Sequence, residues 1–291
     1  MGAERVWAVR DALDWTAEYF ERTGVDNPRR SAEWLLSAAT GLSRVELYAH
    51  FDRPLSESER SSYRASIERR AAGEPLQYVT GEMPFRHVVL KVRPGVFIPR
   101  PETEVLVDEV LAAIEGLTAP IVIDLCAGSG AIAISIAYER PDARVFATEI
   151  VPATADMARE NAGRCGVADR VTVLTGDLFA PLPDELSGAV HVVASNPPYI
   201  PTADLADLPS EVGGFEPRVA LDGGVDGLDV VRRIVDGAGG WLVAQGALVI
   251  ETDTTRAQEA VNVMAAWYEG TRVVRDLAGR DRVATGRKRK D

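Results

Sequence analysis

The sequence predicts an α/β protein, a doubly wound and mostly parallel sheet preceded by a small helical bundle. Three observations lead there. From residue 121 onward, short apolar runs of strand length alternate with stretches of helical character. The first of these runs, 121–125, is followed by the turn Cys126-Ala127-Gly128-Ser129-Gly130 and then by an apolar stretch that reads as a helix to Ala137. The run 190–194 is followed, past Ser195, by Asn196-Pro197-Pro198-Tyr199. Two adjacent prolines lack N–H groups and fix φ, so the chain must leave the sheet at that point with its carbonyls held in set directions.

Taken in order, the elements begin with helices. Val6, Val9, Leu13 and Phe20, with Trp15, fall near helical spacing, and Asn27-Pro28 reads as an N-cap and first-turn pair before Ala32, Leu35, Leu36 and Ala39. Gly41 is placed to stop that helix, and Ser56 to cap another running through Ile67 to Ala72. Residues 1–75 are thus expected to form the bundle. Residues 77–81 and 87–92 alternate like strands, with Pro84, Pro94 and Gly95 as punctuation, which predicts a β-hairpin linker over 76–98. The main domain then spans 99–291. The stiff turn Phe97-Ile98-Pro99-Arg100-Pro101 leads into it, to a helix with acids at Glu102 and Glu104 and an apolar face of Val105, Leu106, Val110 and Leu111. Strands are expected at 144–149, 171–175 and 247–251, helices within 226–241 and 254–267, and a terminal pairing of 272–276 with 282–284.

Composition bounds the function. A chain of 291 residues with 46% apolar content fits a catalytic core plus an accessory unit. No run approaches the roughly 20 apolar residues of a membrane span, and the charges at Glu4, Arg5, Arg10 and Asp11 replace a signal-peptide h-region. A cytoplasmic protein is expected. Cys126 and Cys165 and the scattered His50, His87 and His191 offer neither metal-ligand spacing nor a disulfide framework, so no metal is expected and the histidines read as structural or exposed. The net charge is −12, of which only −2 falls in residues 1–75. Grip on duplex nucleic acid needs a basic face, so direct nucleic-acid binding is not expected. The closing Arg287-Lys288-Arg289-Lys290 reads as a frayed, solvated terminus rather than an RNA contact.

The chemistry lies at the strand ends. In open α/β sheets ligands bind beyond the carboxyl ends of the strands, where a glycine turn lets backbone approach and a helix N-terminus offers free N–H groups. Gly128 and Gly130 fit the first two places of a dinucleotide fingerprint, but Ala133 fills the third, so that pattern alone is weak. Glu149 ends a strand nineteen positions beyond Gly130, where a carboxylate can accept from ribose hydroxyls. Asp177-Leu178, after the strand 171–175, offers an acid and an apolar contact to an adenine. Any one acid alone is more often a solvated strand end or a helix cap; their recurrence puts Asp124, Glu149, Asp177 and Asn196 on one crevice. At Asn196, a side-chain carbonyl and the Pro197 carbonyl can each accept from one planar NH2 group, while Tyr199 offers a flat face to stack on it.

The order of these motifs resembles the class I S-adenosylmethionine-dependent methyltransferases of the amino type. Four further stretches narrow the resemblance: Phe97-Ile98-Pro99-Arg100-Pro101-Glu102-Thr103-Glu104; Gly73-Glu74-Pro75-Leu76-Gln77-Tyr78-Val79-Thr80-Gly81-Glu82; Phe215-Glu216-Pro217 with Leu221-Asp222-Gly223-Gly224; and Asp276-Leu277-Ala278-Gly279-Arg280-Asp281-Arg282. From about Arg29 to Arg287 the chain is similar to the HemK/PrmC family, which methylates the glutamine of the Gly-Gly-Gln motif in peptide chain release factors. It departs from that pattern at Cys126-Ala127, where the family usually has Gly-Thr.

The resemblance implies seven strands with the last inserted antiparallel, a bundle that recognises the release factor, and S-adenosylmethionine held by Phe97, Pro99, Asp124, Cys126, Ala127, Gly128, Ser129, Gly130, Glu149, Asp177, Leu178 and Asn196. Catalysis falls to Asn196, Pro197, Pro198 and Tyr199. An amide nitrogen is a weak nucleophile, so its alignment with the donor methyl is the main task and no strong base is needed. Two alternatives stand beside this reading: methylation of an exocyclic base nitrogen of the adenine N6 type, which also requires base extraction and a grip on phosphates, and an inactive donor- or release-factor-binding module.

Overall fold

The computed structural model describes residues 6–290, so Glu4 and Arg5 of the charged N-terminus lie outside the described residues. The chain divides into two compact units, one running through Glu82 and taking in Pro209–Phe215, the other made of Met83–Leu208 and the chain from Glu216 onward.

The first unit is helical: α1 (Val9–Thr23), α2 (Pro28–Thr40), α3 (Arg44–Ala49), α4 (Glu57–Ala71) and α5 (Leu76–Thr80). Val9, Leu13, Phe20, Leu35, Leu36, Leu47, Tyr63 and Ile67 form its core. Ser43 and Ser56 each close a capping box with a glutamate three residues on, and Gly41 ends α2 at φ 72°, as its position implied. Several sequence expectations need correction here. Val6 precedes α1 and is exposed, and Trp15 is 44% exposed and outside the bundle core. Asn27 stands at the N-cap of α2 but in the left-handed region at φ 49°, with no side-chain cap bond. Residues 77–81 are not a strand but lie in α5 and its cap. Pro75 starts the helix, Gly81 stops it at φ 78°, and the Arg69 guanidinium donates to the carbonyls of Tyr78 and Val79. The segment Pro209–Phe215, with one helical turn at Ser210–Gly213, belongs to this unit, where Glu211 pairs with the buried Arg70 at 2.8 Å.

The second unit begins at Met83, within a hairpin of β1 (Glu82–Phe85) and β2 (Val88–Lys91). The hairpin is more than a linker: Phe85, Val88 and Leu90 are in this unit's core, and the Asn161 side chain brackets the Lys91 backbone, accepting from its N–H at 2.8 Å and donating to its carbonyl at 3.0 Å. There follow α6 (Glu104–Ala113), β3 (Ile121–Leu125), α7 (Ala131–Glu139), β4 (Arg144–Glu149), α8 (Pro152–Arg164), β5 (Val171–Thr175), β6 (Val190–Ser195), α9 (Asp229–Ala238), β7 (Leu242–Glu251), α10 (Ala257–Ala265), β8 (Tyr268–Arg275) and β9 (Asp281–Lys288).

The sheet has seven strands in the order β5-β4-β3-β6-β7-β9-β8. The first five are parallel, and β9, the last in sequence, lies antiparallel between β7 and β8. Apolar side chains of α6, α7 and α8 cover one face, and those of α9 and α10 the other. A sheet covered on both faces must be apolar on both, which is why β3 and β6 read as continuous apolar runs. The order reverses between β3 and β6, and that switch point fixes where a crevice opens. His191 in β6 is structural, its Nδ1 accepting the Ile121 N–H at 3.0 Å.

The basic end of the chain is not frayed where it is described. Arg287 pairs with Ala247 across the sheet and donates to the Gln245 carbonyl at 2.9 Å, Lys288 donates to Leu242 at 3.1 Å, and Arg289 to Ala265 at 3.0 Å. The first two heads cap carbonyls around an irregular stretch of β7 where Gln245 has φ 64°, and the third caps the end of α10, so strand pairing orders a terminus that composition alone left frayed. Among the described residues no helix is long and apolar enough to cross a membrane.

Candidate active site

At the carboxyl end of β3 the chain turns through Cys126–Gly130 into α7. The turn is held by its own neighbours. Ala127 donates its N–H to the Thr148 carbonyl at 3.0 Å, and Gly128 donates to Glu149 Oε2 at 2.9 Å. The other Glu149 oxygen accepts the Val151 N–H at 2.9 Å, so one carboxylate ties the β3 turn to the start of α8. Asn161 donates to the Ser129 carbonyl at 2.9 Å. The two glycines differ. A Cβ on Gly128 would meet nothing within 4 Å, whereas one on Gly130 would lie 2.9 Å from Ile134 Cδ1, so Gly130 serves the packing of α7 and Gly128 faces open space.

Cys126 occupies the place of a glycine in conformation as well as in sequence, at φ 59°. A non-glycine residue there costs about 1–2 kcal/mol. Burial and the negative charge of Glu149 push its thiol up to about 12, which keeps it protonated and unreactive.

Asp124 does not line the crevice. It is wholly buried, with Oδ2 accepting the Ala133 N–H at 3.1 Å, and stands behind the turn as a cap on α7. Its Oδ1 has no hydrogen bond, and burial raises the carboxyl to about 8. Asp177 is exposed and paired with Arg233 at 2.5 Å, while Leu178 beside it is buried at φ 46°.

The second half of the site is the lip Asn196–Tyr199 past β6. Three separate segments hold it. Asn196 donates its Nδ2 hydrogen to Thr103 Oγ1 at 3.2 Å; Thr103 is buried and closes the 3-10 turn Pro101–Thr103 ahead of α6. Ile200 donates to the Leu221 carbonyl at 3.0 Å and accepts from Gly223 at 2.8 Å. Backbone lies on backbone there: a Cβ on Gly223 would sit 2.8 Å from the Pro198 carbonyl oxygen and from Tyr199 Cα, which explains why glycine is needed at that place in Leu221-Asp222-Gly223-Gly224. The third segment is the end of β7. Ser195 pairs with Ile250 in register, so Glu251 sits one step on, level with Asn196.

Phe97 and Pro99 stand just ahead of the 3-10 turn that leads into α6. The Arg100 guanidinium lies 5.1 Å from the Phe97 ring centroid and is ion-paired with the buried Glu216. Burial pushes Glu216 upward, against the pull of Arg100. Tyr199 is half-buried, and its hydroxyl is pushed upward by burial and by the charge of Glu251.

The structure therefore brings the Cys126–Gly130 turn, Glu149, the Asp177-Leu178 pair and the Asn196–Tyr199 lip to the carboxyl ends of neighbouring strands, with Asp124 behind them. Sequence reasoning quoted Thr103, Glu216 and Gly223 only as parts of larger motifs, and gave no role to Glu251 or Asn161. A carboxylate closing the apolar run 247–250 was the available signal for Glu251, since it copies the placement of Asp124 in β3.

A seven-stranded sheet with its last strand inserted antiparallel, a glycine turn after β3 and a proline-built lip after β6 define a class I methyltransferase. The fold is shared with a methyltransferase from Pyrococcus furiosus of known structure, at 15% identity and a TM-score of 0.50 over 69% of this chain and 89% of that one. The model of the PrmC N-terminal domain matches residues 11–81, and that of the methyltransferase small domain matches 89–207. The release factor glutamine methyltransferase of Geobacter sulfurreducens is 43% identical over 97% of both chains. That of Moorella thermoacetica is 43% identical over 94% of this chain and 96% of its own. The chain belongs to the release factor glutamine methyltransferase family.

Proposed function

We propose that the Asn196–Tyr199 lip holds the side-chain amide of a glutamine while the crevice beside it holds S-adenosylmethionine. The chain is a protein-(glutamine N5) methyltransferase acting on peptide chain release factors, and the Gly-Gly-Gln motif is the acceptor we assign to it. The observation that carries the residue-level reading is the commitment of Asn196 Nδ2 to Thr103, which leaves Asn196 Oδ1 as the free end of the side chain.

Asn196 Oδ1 and the Pro197 carbonyl accept the two hydrogens of the substrate amide. Two accepted hydrogens raise electron density on nitrogen and turn its face to the donor. Tyr199 packs on the amide plane and Pro198 stiffens the lip. The donor supplies a methyl group on a sulfonium; the N–C bond forms as the S–C bond breaks, and the methylated nitrogen, far more acidic than the amide, then loses its proton to water. Alignment is the enzyme's main contribution.

The donor fits the residues present. Gly128 faces open space, Glu149 can still accept through the second lone pair of each oxygen, and Leu178 offers an apolar edge. We assign Phe97, Pro99, Cys126, Ala127, Gly128, Ser129, Gly130, Glu149, Asp177 and Leu178 to that contact surface, with Asp124 acting through the turn. The helical unit is assigned to recognition of the release factor, and the reaction to the cytoplasm, where termination of translation takes place. The net charge of −12 weighs against the adenine N6 alternative, and the complete lip weighs against an inactive module.

The test is to incubate the protein with labelled S-adenosylmethionine and either a release factor bearing Gly-Gly-Gln or DNA, and to map the label by mass spectrometry. Label on that glutamine supports the assignment, label on adenine alone overturns it, and no label favours the binding module.

A further inference from the structure

Glu251 has no part in the mechanism above, yet it is among the most deeply buried charged side chains of the second unit, 1% exposed at the end of β7. Neither of its carboxylate oxygens makes a hydrogen bond. An acid so placed is costly unless something uses it.

Its neighbours show what that use is. The Thr103 hydroxyl lies close enough to favour the ionised carboxylate. Thr103 Oγ1 already accepts a hydrogen from Asn196 Nδ2. A hydroxyl has one proton to donate, and if its oxygen is accepting from Asn196 that proton must point elsewhere. Glu251 is the buried acceptor beside it with vacant lone pairs.

We propose that Glu251 is a positioning residue, which draws the Thr103 proton to itself and thereby fixes Thr103 Oγ1 as an acceptor for Asn196 Nδ2, so that Asn196 presents its carbonyl oxygen and not its NH2 to the substrate amide. This rests on the glutamine reading of the lip. Without the relay the Asn196 amide can rotate by half a turn and offer hydrogens to an acceptor nitrogen that itself carries hydrogens, a contact that repels.

The relay depends on the charge state of Glu251. Burial raises its carboxyl to about 7, opposed by Thr103 and by the positive charges of Arg282 on β9 and Arg100 before α6, and reinforced by Glu102. Tyr199 also faces this group from the lip, and Tyr199 in turn feels the charge of Asp253 beyond β7. Once protonated on the side facing Thr103, Glu251 no longer draws the Thr103 proton, so the hydroxyl is free to turn and is not fixed as an acceptor for Asn196 Nδ2. The turnover rate therefore rises with pH through about 7.

The experiment measures kcat, KM for donor and release factor, and the pH profile for wild type, Thr103→Val, Thr103→Ser and Glu251→Gln, with thermal melts to confirm folding. Thr103→Val keeps the shape and loses the hydroxyl, so kcat is expected to fall about tenfold to a hundredfold with both KM values unchanged, while Thr103→Ser retains most of the rate. Glu251→Gln keeps an acceptor but cannot titrate, so it is expected to retain a rate within a few-fold of wild type and lose the pH step near 7. Wild-type kcat in Thr103→Val overturns the proposal, as does an equal loss in a folded Thr103→Ser or a surviving pH step in Glu251→Gln. Should Thr103→Val fail to fold, the serine and glutamine variants still decide it. Wild-type protein that leaves the Gly-Gly-Gln glutamine unmodified would instead sink the reading on which the proposal rests.

Discussion

The donor turn and the acceptor lip lie at the ends of adjacent strands and are built on opposite plans. The turn after β3 is satisfied mostly from nearby structure: Glu149 takes the Gly128 and Val151 N–H groups, Asp124 takes that of Ala133, and Ala127 reaches Thr148. The lip after β6 is braced from afar, by Thr103, by the Leu221–Gly223 backbone and by the end of β7. A turn held mostly by its neighbours is weakened by changes close at hand; a lip that borrows its geometry is sensitive to substitutions far away in sequence.

That contrast can be broken by substitution. Asn196→Ala removes the oxygen proposed to accept from the substrate amide and is expected to cut kcat by about a thousandfold with little change in thermal stability; a smaller loss than Gly223→Ala would invert the ranking. Gly223→Ala forces a Cβ onto the Pro198 carbonyl and Tyr199 Cα, 2.8 Å away from each, and should shift the lip at a cost of about 2 kcal/mol. Its signature is a lower kcat with donor affinity intact, and calorimetry showing weakened donor binding instead would mean that the two halves are coupled.

Glu149→Gln leaves either the Gly128 or the Val151 N–H without an acceptor and weakens the proposed ribose contact, so donor affinity should fall about tenfold; titration calorimetry at wild-type affinity would reject that contact. The smallest effect is sought at Cys126→Gly. Relief of the left-handed conformation at φ 59° should stabilise the protein by about 1 kcal/mol, visible in a denaturant midpoint, with the methylation rate unchanged. A lowered midpoint would show that the thiol's packing outweighs its strain.

The same contrast accounts for what could be read from the sequence. Alternating apolar runs, the glycine turn and the proline pair are local signals, and they disclosed the strands, the crevice and the insertion of the last strand once the resemblance was recognised. Residues 77–81 misled because a two-residue alternation in so short a segment cannot outweigh Pro75 and Gly81, which bound a helix. Asp124 misled because an acid at a strand end can face a ligand or cap the following helix, and only burial separates the two. The basic end misled because pairing partners for Arg287 and Lys288 lie some forty residues upstream, beyond any local pattern. Thr103 and Glu251 were invisible as a pair for the same reason.

The insertion of β9 also sets an order of assembly. It lies later in the chain than both strands it separates, so β7 and β8 must exist before the space between them can be filled, and such long-range pairing is slow to form. Val283 of β9 is the residue that pairs with Glu251. The strand that joins the sheet by insertion is thus also the one that completes the burial of Glu251, on which the proposed setting of the lip depends.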